Sequence, residues 1–190
     1  MSKKAIREYK DYIDDENILI DDIPGKYRFS LSVPFKSKRN KKSALVILKN
    51  PSEADKDKSD HTINNVLKFC EKHYGHVYIM NLFPNYSTDP KGVKVFISSD
   101  EFSTYMEKNI YVLNTMIPKA DDIIIAWGGN SIGNKPEYDK AINAVLNAIG
   151  EAKRIPLAVR IKLSLLNRKY PWHAQVWAVN HDLETYEWKV

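Results

Sequence analysis

Cysteine is almost missing from this 190-residue chain: Cys70 stands alone. A single thiol excludes an intramolecular disulfide, and a cysteine-ligated zinc site or iron–sulfur cluster within one chain. Cys70 itself reads as a small core residue on a helix. The histidines, His61, His73, His76, His173 and His181, lack any H-x-x-x-H spacing, so the pattern proposes no metal site and no cofactor. Long apolar runs are missing too. None approaches the roughly 20 residues of a membrane span, and the amino terminus has no signal-peptide core. A membrane partner is therefore not expected, and a reducing cytoplasm is the expected compartment. Internal repeats and low-complexity segments are absent as well.

What is present suits a globular protein. Hydrophobic residues make up 43% and charged residues 28%, which argues against disorder of the whole chain. The length supports one domain, 1–190, with a sizeable core. Lys and Arg number 29 against 24 Asp and Glu, a net charge of +5. That modest excess is compatible with a polyanionic partner, and no obligate protein partner is evident.

Periodicity sketches the elements. Tyr27, Phe29, Leu31, Val33 and Phe35 alternate with Arg28, Ser30 and Ser32, the period of a half-buried strand. The polar segment 36–42 is short enough to join this strand to an antiparallel partner, 43–48. Helices are expected over 61–73, 101–117 and 136–149. Ser59 or Asp60 starts the first, Ser98–Glu101 forms a capping box for the second, and Pro136 opens the third. Ile6, Tyr9, Lys10 and Ile13 suit a short amino-terminal helix, and 85–95 reads as turns. Strands are expected at 77–80, 123–126 and 157–163, with 175–179 and 186–190 as closing strands. This order fits an α/β fold, a three-layer α/β/α sandwich with a mostly parallel central sheet and an N-terminal hairpin.

Three apolar runs end in polar residues. Leu45–Leu48 meets Lys49-Asn50-Pro51-Ser52, Val77–Met80 meets Asn81, and Ile123–Ala126 meets Trp127-Gly128-Gly129-Asn130. Continuous β-branched runs suit strands covered on both faces. In such sheets ligands bind beyond the carboxyl ends of the strands, so these polar residues are expected to converge on one crevice.

The segments Lys49-Asn50-Pro51-Ser52-Glu53-Ala54-Asp55, Asp60-His61-Thr62-Ile63, Asn81-Leu82-Phe83, Thr88-Asp89-Pro90 and Ala126-Trp127-Gly128 resemble, in order, the signature of the family known as domain of unknown function 1643. The same landmarks resemble the uracil-DNA glycosylase superfamily. Members of that superfamily place water with an Asn-Pro or Asp-Pro loop after the first strand. They read a flipped base with an asparagine ending a central strand, and contact the leaving base from a late histidine loop. In this chain Asn50-Pro51-Ser52, Asn81, Trp127-Gly128 and His173 occur in that order. There are departures: against the glycosylases, Leu48 replaces a glycine and Ala174 follows His173 instead of proline; against the 1643 family, His61 replaces a proline and Asn64-Asn65 a common pair of arginines.

The resemblance implies a uracil-DNA glycosylase-like fold and a DNA glycosylase-like enzyme that flips out a modified or damaged base, its target set extending to modified phage DNA. It implies Asn50 and His173 as catalytic residues, and Asn81, Pro51, Ser52, Phe83 and Trp127 as substrate contacts. Lys49, Arg168, Lys169, Tyr170 and Trp172 would meet DNA by charge and stacking. An imidazole can donate to a departing base. Asparagine orients water without taking its proton, so Glu53, Asp55 and Asp60 are alternatives for a base. Two other functions fit the same residues: a non-catalytic nucleic-acid or nucleotide binding module, and a hydrolase of free nucleosides or nucleotides.

Overall fold

A computed structural model of the chain describes residues 8–37, 39–161 and 169–187. Within them seven strands make one sheet: β1 (Leu19–Ile23), β2 (Tyr27–Pro34), β3 (Ser43–Leu48), β4 (His76–Asn81), β5 (Asp122–Ile125), β6 (Pro156–Arg160) and β7 (Asp182–Thr185). Their spatial order is β1-β2-β4-β3-β5-β6-β7. The centre, β4-β3-β5-β6, is parallel, while β1–β2, β2–β4 and β6–β7 are antiparallel. Four helices accompany it: α1 (His61–Cys70), α2 (Pro90–Ile97), α3 (Phe102–Met116) and α4 (Lys135–Glu151). The fold is mixed α/β, and no helix among the described residues is long and apolar enough to cross a membrane.

Side chains of the parallel strands separate by parity into two apolar clusters. Leu45, Ile47, Met80, Ile123 and Ile125 pack with Val93 of α2, Leu113 of α3 and Ile142 of α4. Ala44, Val46, Leu48, Ile79 and Ile124 pack with Ile63, Val66 and Leu67 of α1, and with Trp177. Burial of both parities is why these strands read as unbroken apolar runs.

Several expectations need correction. Segment 36–42 does not close a hairpin between β2 and β3, because β4 lies between them. Seven residues reach about 23 Å when extended, more than the roughly 9.6 Å across a skipped strand, so loop length could not decide the pairing. The true N-terminal hairpin is β1–β2, turning at Pro24 and Gly25, whose φ is +72°. Residues 85–95 are not all turn: Asp89 caps α2, Pro90 takes its first position, and Val93 and Phe96 are buried. The capping box at 98–101 does not form, since the Ser98 hydroxyl donates to the Lys94 carbonyl (3.3 Å) of α2 and Glu101 accepts from the Tyr27 hydroxyl (2.7 Å).

Among the closing elements, 174–176 is a 3-10 turn, not a strand, and β7 comes earlier than 186–190. Tyr9 and Lys10 lie outside any helix, and Ile13 bridges Phe35. Ile6, 162–163 and 188–190 lie outside the described residues.

β2 is buried along its whole length, not on one face alone. Its pairing with β1 passes from Ser30 to Arg28 and skips Phe29. An extra residue of this kind is a β-bulge, and it shifts the side-chain alternation. Leu31 and Val33 therefore join the cluster on the α1 side, whereas Tyr27 and Phe29 join the other. Arg28, which alternation alone assigns to the polar face opposite Leu31, is only 1% exposed.

Candidate functional site

The connection from β3 goes through α1 to β4 on one side, and that from β5 goes through α4 to β6 on the other. Between the carboxyl ends of strands whose connections diverge, loops cannot close over the sheet, and a crevice is left. A cavity of about 530 Å³ lies there. The loop after β3 contributes Lys49, Asn50 and Ser52; the loop after β4, Ser87, Thr88 and Asp89; the loop after β5, Gly129, Asn130 and Ser131. Arg28, Asp60, Thr62, His173 and Gln175 complete most of the lining.

The loops are tied to one another before any ligand is considered. Parallel pairing continues past the strands through Phe83 N–H to Lys49 O (2.9 Å) and Ser87 N–H to Pro51 O (2.8 Å). The Asn50 amide nitrogen donates to Ser87 O (2.6 Å) and Pro51 O (3.1 Å). With its nitrogen so engaged, the side chain has its carboxamide oxygen as remaining acceptor, and Asn50 lines the cavity. Lys49 donates to Gly129 O (2.7 Å) and to the Ser131 hydroxyl (2.8 Å), and its Nζ lies 5.7 Å from the centre of the Tyr138 ring. Desolvation pulls its ammonium down to about 8. The Tyr138 hydroxyl, kept protonated by burial, anchors the β5 loop through Gly128 O (2.8 Å).

Asp60 begins α1, with Oδ1 accepting from Ile63 N–H (2.8 Å) and Oδ2 from the Ser52 hydroxyl. It is the one residue of Glu53, Asp55 and Asp60 that lines the cavity. Asp55 instead holds its own turn through the N–H groups of Asp57 and Lys58. His173 accepts from Gln175 N–H through Nδ1 (3.2 Å), which leaves the proton of the neutral ring on Nε2. Gly128 has φ +71°, and a Cβ there would come within 2.9 Å of the His173 Cβ. The glycine is thus needed both for its backbone conformation and for the approach of the imidazole.

The structure brings Asn50, Ser52, Lys49 and His173 to one cavity, and the other expected residues lie apart from its lining or outside the described residues. Asn81 shares the sheet end with Asn50 but is sealed off at 1% exposure, its Oδ1 accepting from Arg28 (3.2 Å) and its backbone carbonyl from Asn109 (2.8 Å). Pro51 is buried and serves through its carbonyl. Phe83 and Trp127 are fully buried core residues, Phe83 stacked with Tyr138 at 6.2 Å. Lys169, Tyr170 and Trp172 line a neighbouring depression that shares Gly129 and His173 with the cavity. Arg168 lies outside the described residues. Among those residues no three His, Cys, Asp or Glu groups converge as a metal-binding set.

Arg28 is the residue that sequence reasoning missed. Its Nη1 donates to Ala54 O (2.7 Å) and its Nη2 to Asn81 Oδ1. Burial lowers its proton affinity, with the Tyr86 and Asp60 groups opposing that effect. A signal was available, because Arg28 is the one charge in the otherwise apolar and hydroxylated stretch Tyr27–Phe35.

With this geometry in hand, comparison with known proteins gives one result. The chain belongs to the family described as protein of unknown function (DUF1643), whose model matches residues 28–173, from the buried arginine of the cavity to its histidine. No curated protein and no solved structure matches the chain.

Proposed function

We propose that this member of the DUF1643 family is a DNA glycosylase-like enzyme with a three-layer, uracil-DNA glycosylase-type fold, hydrolysing the N-glycosidic bond of a flipped nucleotide. The observation that carries the reading is the meeting of Asn50 and His173, distant in sequence, on the wall of one cavity at the strand ends. Breaking the bond puts positive character on the sugar and negative charge on the departing base. His173 Nε2–H is the donor for that base. The Asn50 oxygen accepts a hydrogen bond from the attacking water and orients it, and Asp60 takes the proton that water gives up at C1′. The base leaves with the bonding pair and is protonated afterwards.

Hydrolysis of a free nucleotide is the second reading, favoured by the position of segment 36–42. Pro34 and Ser43 both pair at His76, so that basic loop lies at the sheet end opposite the crevice. The test is incubation with DNAs carrying a range of modified bases and with free nucleotides, released base being read by mass spectrometry. Wild type should release base from at least one substrate. Asn50→Ala and His173→Ala should each lose roughly a hundredfold to a thousandfold in rate while remaining folded. Release from no substrate would leave the binding-module function in its place.

A further inference from the structure

Five ionisable side chains line the cavity, Arg28, Lys49, Asp60, Asp89 and His173, and their partners differ by sign. Asp60 caps α1, and Asp89 caps α2 by accepting from Lys91 N–H (2.8 Å). Each carboxylate thus has amide donors and the positive end of a helix against it. The cations are paired less directly: Asp60 acts on Arg28 from beyond ion-pair distance, and the buried Arg28 Nε has no hydrogen-bond partner. Arg28 donates to a backbone carbonyl and a carboxamide, and Lys49 to a backbone carbonyl and a hydroxyl. All four acceptors are neutral, and among the described residues neither cation forms an ion pair.

A charge removed from water is stabilised well only by an opposite charge or by donors and acceptors that complete its shell. Arg28, almost wholly buried, is brought to the cavity by the bulge at Phe29, which interrupts the β1–β2 ladder. What stays unsatisfied beside this cavity is a cationic donor, the buried Nε of Arg28, which has no hydrogen-bond partner.

We propose that Arg28 and Lys49 make the cavity a receptor for a phosphate group, carried by the nucleotide that the cavity takes. The inference rests on the nucleotide reading above and adds to it the group by which the ligand is held. Phosphate suits the site because the guanidinium and ammonium share the cavity lining with the hydroxyl residues Ser52, Thr62 and Ser131. The same chemistry can come from a free nucleoside monophosphate or from the phosphodiester beside a flipped nucleotide.

Calorimetry on the wild-type protein decides this without any turnover. The probes are the four deoxynucleosides, their 5′-monophosphates, inorganic phosphate and a short single-stranded oligonucleotide. At least one monophosphate should bind roughly tenfold or more tighter than its nucleoside and be displaced by inorganic phosphate. Lys49→Met, at a partly exposed position, should cut that ratio severalfold. Arg28→Met should abolish it, with circular dichroism reporting whether the variant folds. Displacement of the monophosphate by the oligonucleotide would assign the phosphate to DNA; failure of displacement would assign it to a free nucleotide. Equal binding of nucleosides and monophosphates, or no phosphate-dependent binding, would overturn the proposal. Base release without phosphate preference would sink this inference alone, and phosphate preference without base release would sink the glycosidase reading alone.

Discussion

Lys49 shows how one residue can serve the loop and the ligand together. Its two hydrogen bonds hold the β5 loop against the β3 loop, and its partial burial brings its pKa down to about 8. Unfolded, the same ammonium titrates near 10.4. Between those values the unfolded chain binds more protons than the folded one, so stability must rise with pH there. Denaturant unfolding of wild type and Lys49→Met at pH 7, 9 and 10 should show the difference moving in favour of wild type from pH 8 upward. Phosphate-dependent affinity should move oppositely, falling above pH 8 as the charge is lost. Asn50, adjacent in the chain, was legible as a strand-ending polar residue. The use of its amide nitrogen on Ser87 and Pro51 was not, since both acceptors are backbone carbonyls and one of them belongs to another loop.

At the scale of elements, helix starts are where local sequence speaks most clearly. Asp60 accepts from the third residue into α1, the geometry expected of a good N-cap, and also receives the Ser52 hydroxyl. Asp60→Ala should destabilise the protein by about 1–2 kcal/mol, with an unchanged dependence on denaturant, measured by urea unfolding. The helix α2 was hidden because it buries only Val93 and Phe96 and includes Gly92, too little pattern to outweigh its turn-forming residues. Strand β2 misled in another way. Its alternation is genuine on each side of Phe29, but the bulge shifts the phase and carries Arg28 to the cavity. A bulge depends on how a neighbouring strand pairs, and no local pattern reports it.

Over the whole molecule, the basic segment 36–42 and the cavity lie at opposite ends of the parallel strands. Six residues of strand separate them by about 20 Å, more than twice the roughly 8 Å screening length at physiological salt. Replacing Lys36, Arg39, Lys41 and Lys42 with serine should therefore leave monophosphate affinity unchanged within about twofold in the same calorimetric experiment. A larger loss would show that the loop's field reaches the cavity. The segment is held by Gly75, whose N–H donates to Lys42 O (2.8 Å), and any Cβ at Gly75 would collide with the Asn40 carbonyl. Its path across the end of β4 follows from that docking as much as from its own composition.

The amino-acid sequence alone determined the class of fold, the apolar strands of the parallel centre and three of the four helices, because burial on both faces and helical periodicity are written in short windows. It also determined that Asn50 and Asn81 stand at strand ends, the side of an α/β sheet where ligands bind. Only the tertiary structure decided which strands are neighbours, and hence that 36–42 crosses β4 away from the crevice. Only it turned Arg28 inward, sealed Asn81 behind the guanidinium and sent Phe83 and Trp127 into the core. Strand order and bulges are set by pairings between distant segments, and those energies depend on packing that no window of sequence contains.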